Sequence, residues 1–135
     1  PGATALIRKI MLAASLATLA AQSAEAASCR FSASHLCRGC TETATAKMRR
    51  VDITESKRWC RLAYRTGRDM FRKVVVMKGF DLGELRTGRY SLRFSPLRTG
   101  TGTVIYEMHG RAGDTNQPFV SRVVMTVQVV EGEFP

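Results

Sequence analysis

From Val123 to Val129 the chain places an apolar residue at every second position: Val123, Met125, Val127 and Val129, with Thr126 and Gln128 between them. A period of two puts one set of side chains on each side of an extended strand, whereas a helix would scatter them around its axis. The same signature recurs in Arg89–Phe94, where Tyr90, Leu92 and Phe94 oppose Arg89, Ser91 and Arg93. It recurs again in Thr103–Met108, where Val104, Tyr106 and Met108 share a face. Such a chain is expected to build sheets with one face buried and one face wet.

Between these segments, Gly, Pro, Asn and Asp punctuate the sequence. Met48–Ile53, Trp59–Tyr64, Phe71–Met77 and Glu84–Arg86 read as further strands. Thr87-Gly88 reads as a hairpin turn, and residues 95–102 and 110–118 as loops. About seven short strands at spacings near ten residues predict an all-β fold, an antiparallel sandwich. Residues 27–46, rich in Ser, Thr, Ala and Cys, show no sustained period and read as a loop-rich leader.

The first residues carry a different pattern. Arg8 and Lys9 precede the apolar run Ile10–Ala21, and Ala24-Glu25-Ala26 places small residues where a signal peptidase requires them. Residues 1–26 are therefore expected to be a signal peptide. A run of about twelve apolar residues is too short for a ~30 Å hydrocarbon core, so no transmembrane span is expected in the mature protein. Cys29 raises the possibility of lipid attachment, but Ala26 stands where that signal wants a Leu-like residue. The resulting organisation is a signal peptide (1–26), a Cys-rich leader (27–46) and a β-domain (47–135), exported to the periplasm or secreted.

Four cysteines, Cys29, Cys37, Cys40 and Cys60, follow the leader peptide. In an oxidising compartment an even set forms disulfides, and three pairings are open. Loop lengths favour Cys40 with Cys60 and Cys29 with Cys37. Cys37-Arg-Gly-Cys40 is also a C-x-x-C. It could serve a redox pair, but no βαβ pattern surrounds it. With His35 and Cys60 or Cys29 it could hold a structural zinc, but no second knuckle is present.

The C-terminal half resembles bacterial immunoglobulin-like (cadherin-like) modules. The resemblance, over roughly residues 70–130, rests on Tyr90-x-Leu-x-Phe-Ser-Pro96, a loop with Gly100 and Gly102, Val104-Ile-Tyr106, and the terminal Val123-Val-Met-Thr-Val-Gln-Val129. It implies a β-sandwich that adheres, spaces or binds. Thr103 replaces an acidic residue often found there, and the carboxylate pairs that hold calcium in such repeats are missing, so calcium is not implied.

Candidate catalytic groups are sparse. His35 and His109 are the only near-neutral bases, and Asp52, Glu55, Asp69, Asp81, Glu84, Glu107 and Asp114 form no recognisable pair. His109 is expected to be exposed. No phosphate loop, nucleophile elbow or zinc-protease motif occurs, so no enzyme and no cofactor are expected. Charge says more. The chain carries a net charge of +10, and residues 47–73 alone hold ten Lys or Arg against Asp52, Glu55 and Asp69. Arg49, Arg50, Arg58, Arg61, Arg65 and Arg68 are the candidate anion-binding residues, with Trp59 and Tyr64 as an aromatic platform. The expected partners are anionic polysaccharide, lipopolysaccharide or an envelope protein, without specific recognition of nucleic acid. The alternatives are a purely structural surface domain, or an inhibitor of an exported hydrolase acting through the loop Ser95–Gly102.

Overall fold

The computed structural model describes residues 29–33, 36–51, 59–64 and 69–132. The expected signal peptide, His35, Asp52, Glu55, Arg58, Arg65 and Arg68 lie outside them. The described residues form eight strands and no helix: β1 (Cys29–Ala33), β2 (Thr41–Arg49), β3 (Cys60–Ala63), β4 (Met70–Lys78), β5 (Gly83–Thr87), β6 (Ser91–Pro96), β7 (Gly100–Arg111) and β8 (Pro118–Val130). They make a five-stranded sheet, β1-β2-β8-β7-β4, and a three-stranded sheet, β3-β6-β5.

The alternation read from the sequence sets the buried face. Val123, Met125, Val127 and Val129 of β8 and Val104, Tyr106 and Met108 of β7 are all at most 2% exposed, as expected from their spacing. From the other sheet, Leu92 and Phe94 of β6 are fully buried and Cys60 of β3 nearly so, within the same core cluster. Burying one such large apolar side chain contributes roughly 1.5–3 kcal/mol. Phe94 meets Phe31 of β1 and Phe80 at ring-centroid distances of 5.9 and 5.4 Å, so one aromatic joins both sheets. Tyr90 departs from expectation: it precedes β6, is 43% exposed, and offers its carbonyl to the Tyr64 amide.

Two further expectations are corrected. Residues 27–46 are not loop-rich, because β1 and most of β2 lie there and the boundary at 46/47 falls inside β2. Thr41, Thr43 and Thr45 do alternate with Glu42, Ala44 and Ala46, but alanine is a weak strand former and too small to announce a core face. Nor are the sheets wholly antiparallel, since β2 runs parallel to β8 from Thr41 opposite Arg122 to Arg49 opposite Val130. Side-chain periodicity carries no information on strand direction. Two expected loops also contract. Ser95 and Pro96 are buried in β6, leaving Leu97–Thr99 between it and β7, and residues 110–118 give up their ends to β7 and β8.

The disulfides pair differently from the expected set, joining Cys29 to Cys60 and Cys37 to Cys40. The first ties β1 of the larger sheet to β3 of the smaller one. Loop length could not reveal this, because the partners are chosen by which strands stack. The second closes a tight turn in which Gly39 takes φ 73°, a conformation that glycine adopts without penalty. With all four sulfurs bonded, none is a thiolate ligand or a free nucleophile. A second close approach fixes the smaller sheet: a Cβ at Gly83 would lie 1.9 Å from the Ser95 carbonyl oxygen, so β5 can lie along β6 only with glycine there.

Candidate anion-binding face

Strand register places three arginines side by side. Arg61 of β3 stands opposite Arg93 of β6, and Arg93 stands opposite Arg86 of β5. All three are exposed, while the alternate residues Cys60, Leu92 and Phe94 point into the core. Neighbouring strands lie about 4.8 Å apart, so the row brings three guanidinium groups onto one outward face. Like charges directly opposite one another in a sheet are destabilising. Among the described residues, none of the three arginines makes an ion pair. The strands of this sheet carry a single acid, the exposed Glu84.

Trp59, which immediately precedes β3, completes the face. The Arg86 guanidinium carbon lies 5.0 Å from the Trp59 ring centroid, a cation–π contact. Arg86 and Trp59 flank β6 from opposite sides, so their contact crosses that strand. Ser95, outward by parity, is only 5% exposed. The arrangement fixes one guanidinium and leaves Arg93 and Arg61 open to solvent, a geometry able to accept an anion from several donors at once.

The sequence-derived candidates among the described residues are distributed over both sheets and their flanks. Arg61 and Trp59 fall on this face. Arg49 ends β2 on the outward side of the five-stranded sheet, and Arg50 pairs with Glu131 at 2.5 Å. Tyr64 turns inward, its hydroxyl bonded to the Tyr106 hydroxyl and its ring 6.2 Å from that of Tyr106. Burial pushes the pKa of both phenols up. Arg86 and Arg93 were not among the anion-binding candidates. Their signal was present, since the turn at Thr87-Gly88 folds β5 onto β6 and Arg93 already stood on the polar side of its strand.

The outward face of the five-stranded sheet is built otherwise. Arg122 and His109 both contact Glu107, at 3.1 and 3.2 Å. Hydrogen bonds from Arg122 first, then His109, hold the Glu107 carboxyl below its usual range. His109 is thus half-buried and bonded rather than freely exposed. Register also lines up the hydroxyls of Ser32, Thr45, Thr126 and Thr103. A shallow depression of about 530 Å³ opens there, lined among others by Arg30, Ser32, Thr45, Lys47, Thr126 and Gln128.

Asp69 and Asp114, scattered in the sequence, meet at Arg38 of the C-x-x-C turn. Its guanidinium reaches Asp69 at 2.5 and 2.9 Å and Asp114 at 2.9 Å. The Arg38 hydrogen bonds, then the Gly113 amide, depress the Asp69 pKa. The Cys37 carbonyl accepts from the Ser121 hydroxyl at 2.5 Å, and the Cys40 carbonyl from the Arg122 amide at 2.9 Å. The turn is therefore clamped to β8 as a structural element. Among the described residues no group of three or more His, Cys, Asp or Glu side chains could hold a metal ion, and no helix is long and apolar enough to cross a membrane.

Neither a family model, nor a curated protein, nor a solved structure matches this chain.

Proposed function

We propose that this chain is an exported, non-catalytic binding module that recognises anionic envelope polymers through the outward face of its three-stranded sheet. The observation that carries the reading is the Arg61–Arg93–Arg86 row, in which three adjacent cations stand without a carboxylate partner among the described residues. Holding like charges together costs folding free energy, and a bound anion offsets that cost. The net charge of +10 adds long-range attraction for polyanions.

Export to the periplasm or beyond is supported by the leader pattern of residues 1–26 and by the two disulfides, which persist in oxidising compartments. An immunoglobulin-like sandwich is supported by strand order. β3, β6 and β5 neighbour one another as strands B, E and D do in such modules, and β4, β7 and β8 as C, F and G do. β2 then takes the place of strand A, moved onto the last strand.

Retention on immobilised heparin or lipopolysaccharide tests the proposal. The wild type is expected to be held at about 0.15 M salt and released as salt screens the contact. The variant Arg61→Glu/Arg86→Glu/Arg93→Glu is expected in the flow-through with its circular dichroism unchanged. Equal retention of a folded triple variant would remove the face from consideration.

A further inference from the structure

We infer that the ligand of the arginine row is a compact, multiply phosphorylated group rather than a linear polymer carrying one carboxylate per sugar; this rests on the anion-binding reading above. The row is three cations long and one deep. β3 and β5 are the terminal strands of their sheet among the described residues, so the row extends no further across the strands. Along them, the flanking register pairs are Ala63 with the buried Ser91 on one side and the buried Ser95 with the exposed Glu84 on the other. Within these three strands a polymer leaving the row therefore meets a methyl group or a carboxylate rather than a further cation.

Affinity must then come from charge concentrated within about 10 Å, the span of two inter-strand spacings. A carboxylate brings one charge and two acceptor oxygens. A phosphate monoester brings nearly two charges and three acceptors, so neighbouring guanidinium groups can share it. Arg93, flanked on both sides, is placed to share a phosphate with either neighbour. Arg86, already held on Trp59, gives up less side-chain freedom on binding than a mobile arginine would.

Trp59 is the only tryptophan in the chain, and its contact with Arg86 makes its fluorescence a reporter of the site. Inorganic pyrophosphate and trigalacturonic acid would each be titrated into the full protein at one ionic strength. Pyrophosphate is expected to shift the emission with an affinity at least about tenfold tighter than trigalacturonate. Arg93→Gln should weaken pyrophosphate about tenfold, and Arg93→Lys, which keeps the charge without the fork, should recover part of the loss. Trigalacturonate binding as tightly as pyrophosphate would overturn the phosphate assignment while leaving anion binding intact. If neither probe binds and the column retention is also absent, both readings fall. Vesicles of phosphatidic acid separate the sources: capture that pyrophosphate competes away places the phosphates on a lipid surface, and pyrophosphate binding without capture assigns them to a soluble compound.

Discussion

The two sheets treat surface charge differently. On the five-stranded side several cations are answered. Glu107 serves Arg122 and His109, Glu131 serves Arg50, and Asp69 with Asp114 grips Arg38, so that all five described ion pairs lie on or beside this sheet. The three-stranded side has Arg61, Arg93 and Arg86 abreast and no ion pair among its described residues. Among the described residues, one face thus holds ion pairs and the other holds none. Like charges abreast are destabilising, and this is the strain on which the proposed binding rests. The edge strand β4 shows a third treatment. Met70 and Met77 are 69% and 55% exposed there, but register shifts after Phe71 and Val76 and the cations Arg72, Lys73 and Lys78 blunt it against further pairing.

The largest effect should come from uncoupling the two sheets. Removing the Cys29–Cys60 bridge, which closes a separation of 31 residues, is expected to cost about 4 kcal/mol by the loop-entropy model. That is a large part of the 5–15 kcal/mol typical of a domain. Urea unfolding of Cys29→Ala/Cys60→Ala measures it. Hydrogen exchange should show β3, β5 and β6 losing protection before β7 and β8, and the reverse order would contradict the picture of a small sheet held onto a larger one. Removing Cys37–Cys40, with a separation of 3, should cost only about 1.5 kcal/mol and leave anion binding unchanged, because that turn is anchored on β8.

Acid should then act on the five-stranded side. Asp69 and Glu107 have pKa values below their usual range, so each contributes stability above pH ~4 that is lost as pH falls through the lowered value. Unfolding midpoints measured from pH 7 to 2 should fall, and Asp69→Asn/Glu107→Gln should flatten the lower part of that curve. The smallest effect has the opposite sign. Relieving like-charge contact with Arg93→Gln should raise stability by about 0.5 kcal/mol while weakening anion binding. A loss of stability on this substitution would show that the row is not strained by its own charge.

How much of this the sequence disclosed depends on the kind of interaction. Valines and methionines at every second position announced β8, and Val104, Tyr106 and Met108 announced β7, because burial imposes a period that survives in one dimension. Most of β2 stayed hidden, since Ala44 and Ala46 are buried without looking like a core. Its parallel pairing with β8 and the Cys29–Cys60 bridge depend on which strands become neighbours, and local pattern does not encode that. The candidate site divides along the same line. Arg61 and Trp59 stood out in a basic stretch, but Arg86 and Arg93 join them only through cross-strand register. The charge cluster is a property of the fold, not of a segment.

The most direct test of the central claim is the salt dependence of affinity for a heparin fragment, compared between the two faces. For the wild type, log K should fall steeply with log salt concentration as released counterions are replaced. Arg61→Gln/Arg86→Gln/Arg93→Gln should lose most of that slope, and Lys47→Gln/Arg49→Gln on the opposite sheet should retain it. A slope that survives in the first variant and disappears in the second would place binding on the five-stranded sheet and contradict this account.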